Sequence, residues 1–160
     1  MISVRQLTID DLPRLRAIWK ENWGDEFVVA HGMIYYPDSL EGFIALDGDE
    51  WIGEITYTFS GNECEIVSLD SVRERMGIGT MLIHKVVEEA RKKDCRRIFL
   101  ITTNDNLNAL GFYQKRGFEL VAVHRGALDK SRKIKPGIPL MGANNIPLRD
   151  EIELEMILNT

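Results

Sequence analysis

Leu69-Asp70-Ser71-Val72-Arg73-Glu74-Arg75-Met76-Gly77-Ile78-Gly79-Thr80 is the stretch in which residue types and spacing speak most directly of chemistry. A strand-like run ends, a loop carrying two glycines follows, and a helical period begins at Ile78. Successive main-chain N–H groups at such a junction can surround phosphate oxygens, and a helix N-terminus adds partial positive charge. Gly77 and Gly79 remove side chains that would hold a pyrophosphate away from the backbone. Two other phosphate motifs fail here. A dinucleotide fingerprint needs glycine where Leu82 stands, and a P-loop needs Gly-Lys-Ser/Thr where Gly79 precedes Thr80 and Met81. Taken alone, the junction also fits a tight turn. His31, His84 and His124 share no ligand spacing, so no metal is expected. Cys64 and Cys95 form no CxxC pair and read as free thiols.

The elements that must position this junction follow from the hydrophobic periods. Ile2 to Leu7 alternates as a strand, Thr8 and Asp11 open a helix, and Leu12, Leu15, Ile18 and Trp19 form its apolar stripe up to Gly24. Residues 25–41 read as irregular. Three strands, Phe43–Leu46, Trp51–Phe59 and Glu63–Leu69, are separated by Asp47-Gly48-Asp49 and Ser60-Gly61-Asn62. From Ile78 the residues Met81, Leu82, Val86 and Ala90 recur at helical spacing. A strand over Arg97–Ile101, a helix over Asn106–Lys115, a strand over Phe118–Val123, a long Pro/Gly-marked loop and an alternating run over Ile146–Leu158 complete the chain. This order predicts an α/β (α+β) fold with a mixed, mostly antiparallel central sheet flanked by helices.

Composition sets outer bounds. The 160 residues, 44% hydrophobic and 28% charged, predict one folded domain over residues 1–160. Twenty basic against twenty-five acidic side chains give −5, so no nucleic-acid partner is expected and an anionic ligand must be met by local geometry. No window approaches 18 consecutive apolar residues and the N-terminus lacks a signal pattern. No membrane span is expected, and the expected location is cytoplasmic.

A second segment narrows the reading. Asn106-Leu107-Asn108-Ala109-Leu110-Gly111-Phe112-Tyr113-Gln114-Lys115-Arg116-Gly117-Phe118 follows the next strand, about thirty residues on. With it, the sequence resembles the GNAT acetyltransferase superfamily over residues 63–118. That family carries Gln/Arg-x-x-Gly-x-Gly/Ala at a pyrophosphate loop, then Asn-x-x-Ala-x-x-x-Tyr-x-x-x-Gly-Phe. Asn106, Ala109, Tyr113, Gly117 and Phe118 fill the second pattern, and Gly77 and Gly79 match the first. Glu74 departs from it, standing where Gln or Arg is usual. Its carboxylate would repel a pyrophosphate, so Arg73 or Arg75 is expected to supply charge instead.

The resemblance implies acetyl-CoA as co-substrate and a small-molecule or peptide amine as acceptor. It implies that backbone groups at Val67 and Leu69 meet the pantetheine arm and thioester. The amides of Arg75, Met76, Gly77, Ile78, Gly79 and Thr80 would meet the pyrophosphate, and Asn106 would make a polar contact to the cofactor. Tyr113 would protonate the departing thiolate, a role that suits a phenol, which is neutral at pH 7. A lysine-like ammonium has a pKa of about 10.4, so freeing its lone pair at pH 7 costs roughly 4–5 kcal/mol, and a base is expected. Alternation places Glu63, Glu65, Val67 and Leu69 on one face, making Glu65 and then Glu63 the candidates, with Glu54 third.

Each assignment has a plainer counterpart. Glu63 and Glu65 are also compatible with solvated carboxylates, Tyr113 with a core aromatic, and Asn106 with a helix cap. Phe27 to Tyr36 falls where the family places substrate recognition, or forms a flap over the core. Lys130, Arg132, Lys133 and Lys135 are a solvated basic loop, or reach a phosphate, an acidic substrate or a partner. Glu151, Glu153 and Glu155 form one face of the last strand, facing water or attracting a cationic amine. That strand could also pair with a second copy as a homodimer. The rival to an enzyme is a non-catalytic acyl-CoA-binding or sensing module, with Glu74 in its favour and Tyr113 against it.

Overall fold

The computed structural model describes residues 1–72 and 77–158. Its strands are β1 (Ile2–Gln6), β2 (Val28–Ala30), β3 (Met33–Tyr35), β4 (Glu41–Asp47), β5 (Glu50–Ser60), β6 (Glu63–Ser71), β7 (Arg97–Thr103), β8 (Glu119–His124) and β9 (Glu151–Ile157). The helices are α1 (Leu12–Trp23), α2 (Ile78–Lys92), α3 (Leu107–Lys115) and α4 (Ala127–Ile134). Seven strands form one sheet in the order β1-β4-β5-β6-β7-β9-β8, and β2 and β3 make a separate hairpin. All pairs in the sheet are antiparallel except β6–β7. Parallel neighbours need a crossover, and α2 provides it. This is the mixed, mostly antiparallel sheet flanked by helices that the periodicity predicts.

Two apolar clusters hold the layers together. Under α2 and α3, Ile78, Leu82, Val86 and Tyr113 pack on Ile55, Cys64, Ile66 and Ile98. Under α1, Leu15 and Trp19 pack on Ile44 and Trp51. Only Leu15 and Trp19 of α1 are buried, so two side chains at helical spacing anchor it. Each contributes about 1.5–3 kcal/mol of apolar burial. Gly24, in the left-handed region at φ 82°, ends the helix where the sequence places its stop.

Three expectations need correction. Residues 25–41 are not wholly irregular, because β2 and β3 form a hairpin turned by His31 (φ 40°) and Gly32 (φ 78°). Two positive φ values suit the twist of a two-residue hairpin turn. The basic loop is in part a helix: Lys130, Arg132 and Lys133 lie on α4, and Lys135 caps its C-terminus. Finally, β9 lies between β7 and β8, so it cannot pair with a second copy; β1 and β8 are the edges. No helix among the described residues is long and apolar enough to cross a membrane.

Candidate active site

The parallel β6–β7 pairing runs only from Glu63↔Arg97 to Ile66↔Leu100. Beyond it, β6 continues to Ser71 against β5 and β7 continues to Thr103 against β9. The two strands therefore part, and among the described residues main-chain groups on their facing edges have no strand partner. A cavity of about 850 Å³ occupies the gap, lined by Glu65, Val67, Leu69, Asn106, Tyr113 and Glu151 among others.

The parting coincides with a bulge. Thr56 pairs with Ser68 and Tyr57 with Ile66, leaving Val67 as the extra residue on β6. The bulge breaks the expected alternation. Val67 packs with the α1 cluster, whereas Leu69 packs with the α2 cluster, so the two do not share a face. Both still line the cavity.

Glu65 is 4% exposed and is held by the hairpin. Tyr35 donates its hydroxyl to Glu65 Oε1 at 2.6 Å, and His31 Nε2 lies 3.0 Å from Oε2. The bond to Glu65 raises the His31 pKa against its partial burial. Burial and the neighbouring carboxylate hold Tyr35 firmly neutral. The Phe27–Tyr36 segment is thus tied directly to a candidate base. Glu63 lies elsewhere: it pairs with Arg97 at 3.0 Å and with Arg96, which hold its pKa down, and it does not line the cavity. That arrangement suits a structural ion pair rather than a proton acceptor.

Glu54, the third candidate, is completely buried. Ser68 donates to its Oε2 at 2.9 Å, and Thr56 Oγ1 lies 2.5 Å from Ser68 Oγ. Burial pushes its pKa up to about 8, with Asp70 adding to the rise. The Trp19 indole offsets a little of it, although neither Trp19 Nε1 nor Glu54 Oε1 reaches hydrogen-bond geometry. Ser68 lines the cavity and Glu54 does not.

Tyr113 is 8% exposed, packed edge-on against Phe112 and Phe118. Burial keeps its phenol protonated far above neutrality. Asn106 caps α3 by accepting the Ala109 N–H at 3.2 Å while also facing the cavity. Its two readings are therefore compatible.

Gly77, in the left-handed region at φ 71°, precedes α2 and accepts the Met81 N–H. Ile78, Gly79 and Thr80 are the first residues of α2, so their N–H groups face the helix N-terminus. Gly79 has a second reason to be glycine: a Cβ there would lie 2.8 Å from Phe112 Cζ. Arg73, Glu74, Arg75 and Met76 lie outside the described residues, so the expectations on Arg75 and Met76 stay with the sequence.

Several contacts at the site escaped the sequence reading. Arg116 donates from Nε to Thr80 Oγ1 at 2.8 Å, and its guanidinium stacks 3.6 Å from the Phe112 ring. It brings a cation beside the α2 N-terminus, and its place just before Gly117 in the second motif was the available signal. Lys135 donates to the carbonyls of Trp23 and Phe27 and lines the cavity. The contact of His31 with Glu65 and Glu151, 34 and 120 residues away, has no local sequence signal. Among the described residues no group of three or more His, Cys, Asp or Glu is placed to hold a metal ion.

The chain over residues 3–118 matches the profile of the acetyltransferase (GNAT) family, and it belongs to that family. It is 48% identical over 139 residues to the uncharacterized protein YxbD of Bacillus subtilis, covering 86% of this chain and 87% of that one. It is 45% identical over 146 residues to the uncharacterized protein YdhI of the same organism, covering 91% of each. Its fold is similar to that of a GNAT family acetyltransferase from Elizabethkingia anophelis with acetyl-CoA bound. That likeness has a TM-score of 0.73 at 24% identity, covering 98% of each chain.

Proposed function

We propose that this protein transfers the acetyl group of acetyl-CoA to a primary amine by direct attack on the thioester. The observation that carries the reading is the parting of β6 from β7 beyond Ile66 and Leu100, with Glu65 and Tyr113 both on the walls of the gap. Unpaired main-chain groups along Val67–Leu69 suit the amides of a pantetheine arm, which would continue the sheet's hydrogen bonding in place of β7. The N-terminus of α2 at Ile78, Gly79 and Thr80, with Arg116 beside it, suits the pyrophosphate. Arg116 supplies charge that Glu74 does not. Family membership and the acetyl-CoA-bound relative support the same co-substrate.

In the reaction, Glu65 accepts a proton from the acceptor's ammonium, through water where the two do not touch, and the freed lone pair attacks the thioester carbon. A C–N bond forms and the C–S bond breaks. The Tyr113 hydroxyl donates its proton to the leaving thiolate, a step favoured by a phenol kept neutral by burial, and the second proton of the acylated nitrogen leaves through water to restore the phenol. No covalent acyl-enzyme is required.

The test is release of free CoA thiol across a panel of primary amines, with Tyr113→Phe run alongside. The expected result is turnover by the wild type and a kcat lowered by about tenfold or more in the variant, with acetyl-CoA binding kept. Full turnover in Tyr113→Phe removes it from the mechanism. Acetyl-CoA binding with no transfer to any amine would mark a sensing module instead.

A further inference from the structure

Glu151 stands apart from the other acids of its row. Glu153 and Glu155 both accept from Arg97 Nη1, at 2.7 and 2.8 Å, and Glu153 also meets His124. Among the described residues, no cationic side chain lies within hydrogen-bond reach of Glu151. It is 3% exposed, and both of its oxygens share a single donor, the His31 backbone N–H, at 3.1 and 3.3 Å. A carboxylate offers about four lone-pair sites, so most of its accepting capacity is unused. Buried carboxylates are ordinarily paired with a cation or neutralised. This one lines the cavity, on the same hairpin-covered side as Glu65.

One residue joins the two acids. His31 places its imidazole on Glu65 and its main-chain N–H on Glu151. A single histidine therefore spans the distance between the carboxylates, with one N–H or cationic group at each end. Among the described residues, the Lys or Arg side chain on the cavity wall is Lys135, which is turned onto the Trp23 and Phe27 carbonyls and does not pair with Glu151.

We infer that Glu151 forms an acceptor subsite for a second cationic group, so that the preferred acceptor is a short diamine-like cation. One amine lies at Glu65 for reaction and the other at Glu151 for recognition. The inference rests on the proposed amine acetylation for its kinetic consequence, though not for the binding itself. The ammonium takes the unused lone pairs of Glu151 and adds a charge-assisted bond beside the His31 N–H, at a carboxylate largely shielded from water.

The test compares 1,4-diaminobutane with 1-aminobutane, which has the same carbon chain and lacks the second ammonium. The expected result is a kcat/KM ratio of tenfold or more in favour of the diamine. That ratio collapses in Glu151→Gln through a higher KM, and persists in Glu119→Gln, which alters an exposed acid on β8. An equal ratio in wild type and Glu151→Gln overturns the inference, as does a wild-type preference for the monoamine. Calorimetry of the diamine on the protein without acetyl-CoA supplies an arm independent of turnover. Binding weakened tenfold or more by Glu151→Gln supports the subsite even where no acetyl transfer occurs, a result that would refute the proposed reaction alone. No diamine binding to the wild type refutes the subsite, while transfer to monoamines would leave the reaction standing.

Discussion

Glu54 offers the sharpest stability measurement. It is fully enclosed between Ser68 and the Trp19 indole, and burial raises its carboxyl from an ordinary 4.5 to about 8. Between those values the unfolded chain has released this proton while the folded chain retains it, so raising the pH favours unfolding. Above about 8 both states are ionised and the loss is complete. At about 1.36 kcal/mol per pH unit, the fall across this window is about 5 kcal/mol. Against a typical total of about 5–15 kcal/mol, such a fall is readable in a denaturant midpoint. Glu54→Gln keeps the shape and an acceptor for Ser68 while removing the titration. Urea unfolding of both proteins at several pH values from 5 to 9 isolates Glu54, because other titrating groups cancel in the difference. The variant should gain about 4 kcal/mol relative to wild type between pH 5 and pH 9, because part of the fall lies below pH 5. A difference constant to within about 1 kcal/mol across that range would refute a carboxyl held neutral by burial.

Three further outcomes follow from the site. Glu65→Gln should lower kcat by roughly 10²–10³ at neutral pH with acetyl-CoA affinity kept. Part of that rate should return as the pH approaches the amine's own pKa, and a pH-independent deficit would count against a base role. In Gly79→Ala, the added Cβ 2.8 Å from Phe112 Cζ meets a ring backed by the Arg116 guanidinium. Overpacking of about 1–3 kcal/mol then outweighs the helix gain of about 0.5–1 kcal/mol, so urea unfolding should show a less stable protein. Arg116→Ala should weaken CoA binding by about tenfold in low salt and by less in high salt, as calorimetry would read. A loss independent of salt would assign Arg116 a packing role only.

The legible parts of the molecule were those with local signals. Ile78, Leu82 and Val86 announce α2 by their spacing because one helix face must be apolar. The strands β4, β5 and β6 show their ends through Gly-containing turns. The hairpin β2–β3 was not legible, since strands of three residues are too short for alternation to register. Nor was α4, whose Leu-Asp-Lys-Ser-Arg-Lys run has almost no apolar face. The bulge at Val67 also escaped, and it decided where Leu69 points. A bulge is a property of two strands in register, and neither strand encodes it alone.

By itself, the sequence determined the family-like junction of Gly77 and Gly79 with α2, the Asn106–Lys115 helix carrying Tyr113, and the succession of the longer strands along the chain. These depend on turn chemistry and periodicity, which act over a few residues. Only the tertiary structure decided which carboxylates face the cleft. Arg97 claims Glu63, Glu153 and Glu155, the hairpin tip brings His31 to Glu65 and Glu151, and the α1 face encloses Glu54. A carboxylate's chemistry is set by its solvation and its neighbours, and here those neighbours lie up to 120 residues away along the chain.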